Sequence, residues 1–185
     1  MKLKRLNFKI VKSTNDTAIR IIKNSNNKSG IVVAETQKKG RGQYGKKWIS
    51  NKGNLFVSIF FPINNIKFSL KELTKMNCLL VKKLISKYYK GKILIKIPND
   101  LLIDSKKISG ILQETFSDSG KVFMIVGIGI NLIKNPNLKD YPTTNLYNLI
   151  NVKISSNNAV FNLKKIYEKF IPLFDKFDLK NIKKI

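Results

Sequence analysis

Histidine is absent from this 185-residue chain, and cysteine occurs once, as Cys78. Without histidine there is no Ser-His or Cys-His relay and none of the usual imidazole-containing zinc sites. One cysteine forms no disulfide within the chain, which agrees with a reducing compartment. Acidic residues are also scarce: 11 Asp and Glu stand against 36 Lys and Arg, a formal net charge of +25. No window approaches the ~18 continuous apolar residues that a membrane-spanning helix needs. The opening "MKLKRLNFKIVKS" has no apolar run of the signal-peptide kind. A cytoplasmic protein with no membrane attachment is expected. Its chemistry must run on Lys, Arg, carboxylates, amides and backbone N–H groups, with or without a bound metal.

A charge of this size favours a polyanion partner. Lysine, however, is spread along the whole chain beside Ile and Asn, as compositional bias would leave it. Acidic protein partners would feel the same field. The aromatic residues fall mostly inside apolar runs rather than on a stacking face, which disfavours a basic nucleic-acid-binding module. With 43% hydrophobic residues, the chain has the material for one domain over residues 1–185.

The pattern predicts a strand at Leu6–Val11 and a helix capped by Ser13 or Thr14 that runs to about Lys23, with Ala18, Ile19 and Ile22 inward. "IVVAET", "NLFVSIFFP", "KILIKIP" and "KVFMIVGIGINLI" read as strands, the second apolar on both faces and therefore central. A helix from Ser69 to about Tyr88 follows from apolar spacing. "NDLLID" and "KKISGILQETF" form a hairpin that turns at Asp104-Ser105. The segment 135–158 reads as loop with one helical turn, and Val160–Phe177 as helix interrupted at Pro172. The sum is an α+β domain, a mixed or antiparallel sheet with helices packed on one side.

Five stretches can carry chemistry, and each has a plainer reading beside it. In "KKGRGQYGKKW", Gly40, Gly42 and Gly45 free the backbone so that N–H groups can converge on an anion, and Arg41 can clamp a carboxylate or phosphate. It is not a Walker A loop, and a solvated basic turn is the plainer reading. In "IKIPNDLLI", Asp100 can hold Mg²⁺ with ATP phosphates, or Pro98-Asn99-Asp100 can be an ordinary turn. Lys96 in the same stretch can meet phosphate or lie in solvent, and in "SKKISGIL" Lys107 can stand beside a ligand or be an exposed hairpin residue. "VGIGIN" lacks the third glycine of a dinucleotide fingerprint, yet glycines within a strand mark a close approach, and Asn131 can read a base edge. "KSTND" places Ser13, Thr14 and Asn15 at a helix start, where they either cap or face a small ligand.

Taken in order, "STN", "AETQKKGRGQYGKKW", "NLFVSIFF", "KIPNDLLIDSKKISGILQE" and "VGIGINL" resemble the catalytic domain of the biotin protein ligases, from about Asn7 to Leu146. The resemblance implies the biotin/lipoate ligase fold, akin to class II aminoacyl-tRNA synthetases. It implies formation of biotinyl-5′-AMP from biotin and ATP with Mg²⁺, then transfer to a lysine of a biotin carboxyl carrier protein. By resemblance, Ser13, Thr14, Asn15 and Gln37 would line the ureido end of biotin. Arg41, Gly42 and Gln43 would form the loop over biotin and the adenylate phosphate. Lys107 would meet the carboxylate or α-phosphate. Arg41 and Lys107 would be catalytic. Lys96, Asn99 and Asp100 would serve ATP and the metal, with Asn131 on the adenine and Trp48 beneath the loop or against the ligand.

The chain departs from the family pattern in places. Ile97 stands where members often carry Trp, which implies a packing change. Gln43 stands where many carry a second arginine, which implies weaker retention of the adenylate unless Lys39 or Lys46 offsets it. Members commonly continue into a small β-barrel domain, and others begin with a helix-turn-helix. Neither is present in these 185 residues, so no sequence-specific DNA binding is expected. A homodimer through a strand edge is compatible with the fold, although no pairing strand stands out. Lipoate ligases and octanoyl transferases share the fold. Octanoyl transfer can use a cysteine, but Cys78 falls on a helix face suited to packing and has no neighbouring base.

Overall fold

The computed structural model describes residues 1–63, 68–138 and 141–176. Strand β1 (Lys4–Val11) runs parallel to β2 (Gly30–Gln37), with helix α1 (Thr14–Asn24) crossing between them. The remaining strands are β3 (Leu55–Ile63), β4 (Leu94–Lys96), β5 (Asp100–Ile103), β6 (Lys106–Asp118) and β7 (Lys121–Ile130). Their pairings are all antiparallel. They complete a seven-stranded mixed sheet in the order β1-β2-β3-β7-β6-β5-β4. The α+β expectation holds, and β3 is interior, with every residue from Leu55 to Phe61 buried. The β5–β6 hairpin turns where expected. Asp104 and Ser105 both take positive φ (48° and 61°), the pattern whose twist suits a two-residue hairpin.

Helix α2 (Leu70–Ile85) opens with a capping box, in which Ser69 and Glu72 satisfy each other's backbone N–H groups. It ends before the expected Tyr88, because Lys87 and Tyr88 donate three residues back and tighten the chain out of the α-helix. Helix α3 (Leu146–Ile150) is the short turn expected in the 135–158 segment. Helix α4 (Ser156–Phe170) begins earlier than the expected Val160, since Ser155 caps it by accepting from Asn158 N–H. Pro172 then lies in a 3-10 turn (Ile171–Lys176), and the expected end at Phe177 lies outside the described residues.

Helices α2 and α4 share one face of the sheet. Leu73, Leu80, Leu163 and Tyr167 pack there with Val57, Ile59, Met124 and Val126. Helix α1 departs from the expected one-sided arrangement. Its Ala18 and Ile22 pack on Val32, Phe60, Phe123 and Ile125, which point to the opposite face. The reason is the period of two along β3 and β7: both faces are apolar, so both need a cover. Helix α1 covers only part of its face. Further along, the same face carries Gly127 and Gly129 on β7 and, paired with Gly129, Gly110 on β6. That bare area of sheet is where the motifs singled out in the sequence meet.

Candidate active site

A cavity of about 380 Å³ opens over these glycines. Ser13, Thr14, Asn15, Gln37, Arg41, Gly42, Gln43, Trp48, Lys96, Asn99, Asp100, Lys107 and Asn131 all line it, so the structure brings together every residue to which the resemblance gave a role at the ligands, while Lys39, Gly40 and Gly45 are not in the lining. Its size falls within the ordinary range for small-molecule sites.

One end is polar and uncharged. Ser13, Thr14 and Asn15 are buried at the start of α1, where Ser13 also acts as the helix cap. Gln37, at the end of β2, accepts from the Thr14 N–H (2.8 Å) and hydroxyl (3.1 Å) through Oε1. Its amide donates to Ser50 Oγ at 3.1 Å. The Asn15 amide lies directly on Gly127, where a β-carbon would overlap it. It donates to Leu112 O (3.1 Å) and Glu114 Oε2 (2.6 Å), and accepts from the buried Ser58 hydroxyl.

The glycine loop arches over this end. Its left-handed residues are Tyr44 (φ 54°) and Gly45 (φ 73°), not Gly40 and Gly42 as the glycine pattern implied. Gly40 is required for a different reason: a β-carbon there would strike the Trp48 carbonyl, which lies close because Trp48 N–H donates to Gly40 O at 2.9 Å. Gly42 N–H is used inside the loop, donating to Lys46 O at 2.6 Å. The convergence of free N–H groups expected from the glycines is therefore not the organising feature. Side chains are. Arg41 makes two parallel bonds to Glu114, Nη1 to Oε1 at 2.9 Å and Nη2 to Oε2 at 2.7 Å. Its Nη2 also stands 2.8 Å from Asp16 Oδ1. The bond to Glu114 holds the guanidinium pKa above its ordinary value.

The other end is cationic and aromatic. Trp48 lies on Gly110 and Gly129, where β-carbons would overlap its ring. Its indole Nε1–H is buried and has no partner among the described residues. Lys107 Nζ stands 5.4 Å from the Trp48 ring centre and 5.3 Å from that of Tyr141. It pairs with Asp100 Oδ1 at 2.6 Å. That contact lacks the angles of a hydrogen bond and is ionic, and the buried Oδ1 has no hydrogen-bond donor among the described residues. Asp100 Oδ2 accepts from the Tyr141 hydroxyl at 2.8 Å. Burial first, and then that bond to the carboxylate, raise the Tyr141 phenol above its ordinary pKa. Lys96 lies over the other side of the site, 4.5 Å from the Tyr141 ring centre. Asn131 is buried, donates to Thr144 O at 3.0 Å and leaves Oδ1 without a donor. Asn99 is largely structural: its amide donates to Ile111 O at 2.7 Å and its carbonyl accepts from Ile111 N–H at 2.9 Å.

Among the described residues, no three His, Cys, Asp or Glu side chains cluster as a metal cage. One carboxylate with an open oxygen fits a magnesium ion whose other ligands come from a nucleotide and water. Three residues of the site were not anticipated. Glu114 had a usable signal, a charge two residues apart from Leu112 and four from Gly110 on an otherwise apolar strand face. Ser58 and Tyr141 had none, the first hidden in an apolar strand and the second in a loop.

Cys78 is fully buried on α2, outside the cavity lining, and burial pushes its thiol up to about 12. A thiol-reactive dye at pH 8 is therefore expected to label the native protein negligibly and the unfolded protein fully; rapid labelling of native protein would show an accessible thiolate. Trp48 is the one tryptophan of the chain, so intrinsic fluorescence reports on the site alone. Gly129→Ala must lift the indole from the sheet, and its emission is expected to move to longer wavelength in folded protein. An unchanged spectrum would contradict the close packing.

The biotin/lipoate A/B protein ligase family matches residues 7–131. The bifunctional ligase/repressor BirA of Bacillus subtilis is 31% identical over 167 residues, which is 86% of this chain and 51% of that protein. The chain thus spans about half the length of that relative. A biotin protein ligase from Aquifex aeolicus, solved in complex with biotin and ATP, superposes with a TM-score of 0.80 at 27% identity, over 97% of this chain and 75% of that one. A bi-partite lipoate protein ligase from Thermoplasma acidophilum shares the fold at 11% identity and a TM-score of 0.66, over 93% and 85%. With its glycine loop and most of its sheet and cavity lining in the matched span, the chain belongs to the biotin/lipoate A/B protein ligase family.

Proposed function

We propose that the chain joins biotin to ATP as biotinyl-5′-AMP, with release of pyrophosphate, and transfers the biotin to a lysine of a biotin carboxyl carrier protein in the cytoplasm. The observation that carries this reading is the division of one cavity into a neutral polar end and a cationic aromatic end, bridged by Arg41. Biotin has a neutral, hydrogen-bonding ureido head and an anionic tail. ATP has an aromatic base and an anionic tail. The two tails must meet. The Aquifex aeolicus relative, solved with both ligands, supports the same pairing of substrates.

In this reading Ser13, Thr14, Asn15 and Gln37 hold the ureido group, and Gly42 and Gln43 close over it. The biotin carboxylate lies between Arg41 and Lys107. One of its oxygens attacks the α-phosphorus of ATP, and the bond from that phosphorus to pyrophosphate breaks. The two reactants are both anions, so the catalytic task is to cancel repulsion and stabilise the leaving charge, which fixed cations do well in a site shielded from water. Arg41 and Lys107 serve the reacting groups, and Lys96 the departing phosphates. Asp100 would hold a magnesium ion carried by the nucleotide, and the ion would neutralise phosphate charge there. The unpaired Trp48 Nε1–H and Asn131 Oδ1 supply a donor and an acceptor near the adenine. In the second step the acceptor amine attacks the acyl carbon and AMP leaves, a step that needs placement more than acid–base help. No histidine is required at either step.

The acceptor is read as a small acidic-faced domain, drawn by the +25 charge. For a second copy, open strand edges are available on β1 and on β6 beyond its pairing with β5. Biotin-dependent ATP–pyrophosphate exchange tests the reading. Biotin is expected to support exchange, and lipoate and octanoate are not. Lys107→Gln is expected to lower the rate by about 10²–10³-fold. Exchange with lipoate in place of biotin would move the chain to the sister activity, and no exchange with any of the three acids would overturn the proposal.

A further inference from the structure

Arg41 is tied to more negative charge than one guanidinium needs. It bonds both oxygens of Glu114 and stands against Asp16, while Glu114 also accepts from Asn15. These partners come from separate elements: Asp16 and Asn15 from α1, and Glu114 from β6. Arg41 belongs to neither. It reaches them from a loop whose two ends are anchored, Lys38 and Lys39 N–H on Val11 O and Lys12 O and Trp48 on the glycine floor, but whose middle is otherwise held by its own short-range bonds, Gly42 to Lys46 and Lys46 to Gln43. Most of that loop is exposed, and Tyr44 at its tip is 91% exposed. Between its anchored ends the loop therefore owes its position over the cavity chiefly to one side chain.

We infer that Glu114, assisted by Asp16, is a positioning residue that pins the glycine loop across the cavity through Arg41, before and after ligand binds. An arginine offers five N–H donors. Two go to Glu114 and one faces Asp16, which leaves one on Nη1 and one on Nε, on opposite sides of the guanidinium, either of which can meet an anionic ligand. The pin and the ligand thus use different edges of the same guanidinium, and neither must be released for the other. Arg41 is held in place in advance, which lowers the ordering cost of binding. The arrangement also accounts for how a loop with Gln43, rather than a second cation, stays over the site. The tie is supplied from below by a carboxylate. Lys39 and Lys46, the residues expected to compensate, make no ion pair among the described residues.

The part of this inference that concerns adenylate retention rests on the function proposed above; the part that concerns the free loop does not. The test separates them. Glu114→Gln keeps an oxygen for the Asn15 amide and removes the charge that binds Arg41. In ligand-free protein, amide hydrogen exchange at Gly42, Lys46 and Trp48 is expected to quicken about tenfold or more in this variant, and less in Asp16→Asn. Exchange in β6 and β7 is expected to stay unchanged. In protein loaded with biotinyl-5′-AMP, release is expected to quicken by about tenfold in Glu114→Gln, with ligand association little altered. Equal loop protection in wild type and Glu114→Gln would overturn the pin, as would a loss of protection spread evenly through β6 and β7. If the wild type fails to retain biotinyl-5′-AMP while the loop result holds, the pin stands and the proposed substrate falls.

Discussion

The site rests on an area of sheet without side chains. Gly127 and Gly129 on β7 and Gly110 on β6 face the same way, and β-carbons would overlap Asn15 at the first and Trp48 at the other two, with Lys107 also close to Gly110. Side chains at both ends of the cavity are placed by contact with that floor. Asn15 lies on Gly127 and carries the N-terminus of α1 with it. Trp48 lies on Gly129 and Gly110 and fixes the far end of the glycine loop. Lys107 stands over Trp48. Larger residues in the floor would raise these groups and fill the cavity, so two or three hydrogen atoms in place of methyl groups create the space for the ligand.

Electrostatics then organises what the floor has placed. The described protein carries a large excess of positive charge, yet its two central cations are paired. Arg41 binds Glu114 and Asp16, and Lys107 binds Asp100, which also holds the Tyr141 hydroxyl. Eleven acidic residues serve the whole chain, and three of them, Asp16, Glu114 and Asp100, pair with these two cations. Glu114 is shared between bonds, since it meets both Arg41 and Asn15. Pairing keeps long, flexible side chains in single positions, which a site for two mutually repelling anions requires. Lys46 and Lys47 line the same cavity without an ion-pair partner among the described residues and add field rather than geometry.

Much of this was legible in the sequence, for physical reasons. Runs apolar on both faces identified the central strands, and apolar residues at helical spacing after Ser69 identified a helix. The glycines of "VGIGIN" marked a close approach, which is what they permit. What escaped has equally plain causes. The side of the sheet on which α1 packs depends on the register of strands far apart in the chain. The glycine loop was read for backbone freedom, but its conformation follows from Arg41 reaching Glu114 across 73 residues of sequence. Tyr141 lies in a segment with no periodicity at all, and only the fold brings its hydroxyl to Asp100.

The central claim is that one cavity holds both halves of an activated acid at once. The most direct measurement is the affinity of a non-hydrolysable analogue of biotinyl-5′-AMP, set beside biotin and ATP alone and followed through Trp48 fluorescence. If the neutral end and the cationic end bind the two halves together, the joined molecule should bind at least about a hundredfold tighter than biotin, because the second contact becomes intramolecular. An analogue that binds no tighter than biotin would show that the two ends do not act as a single site.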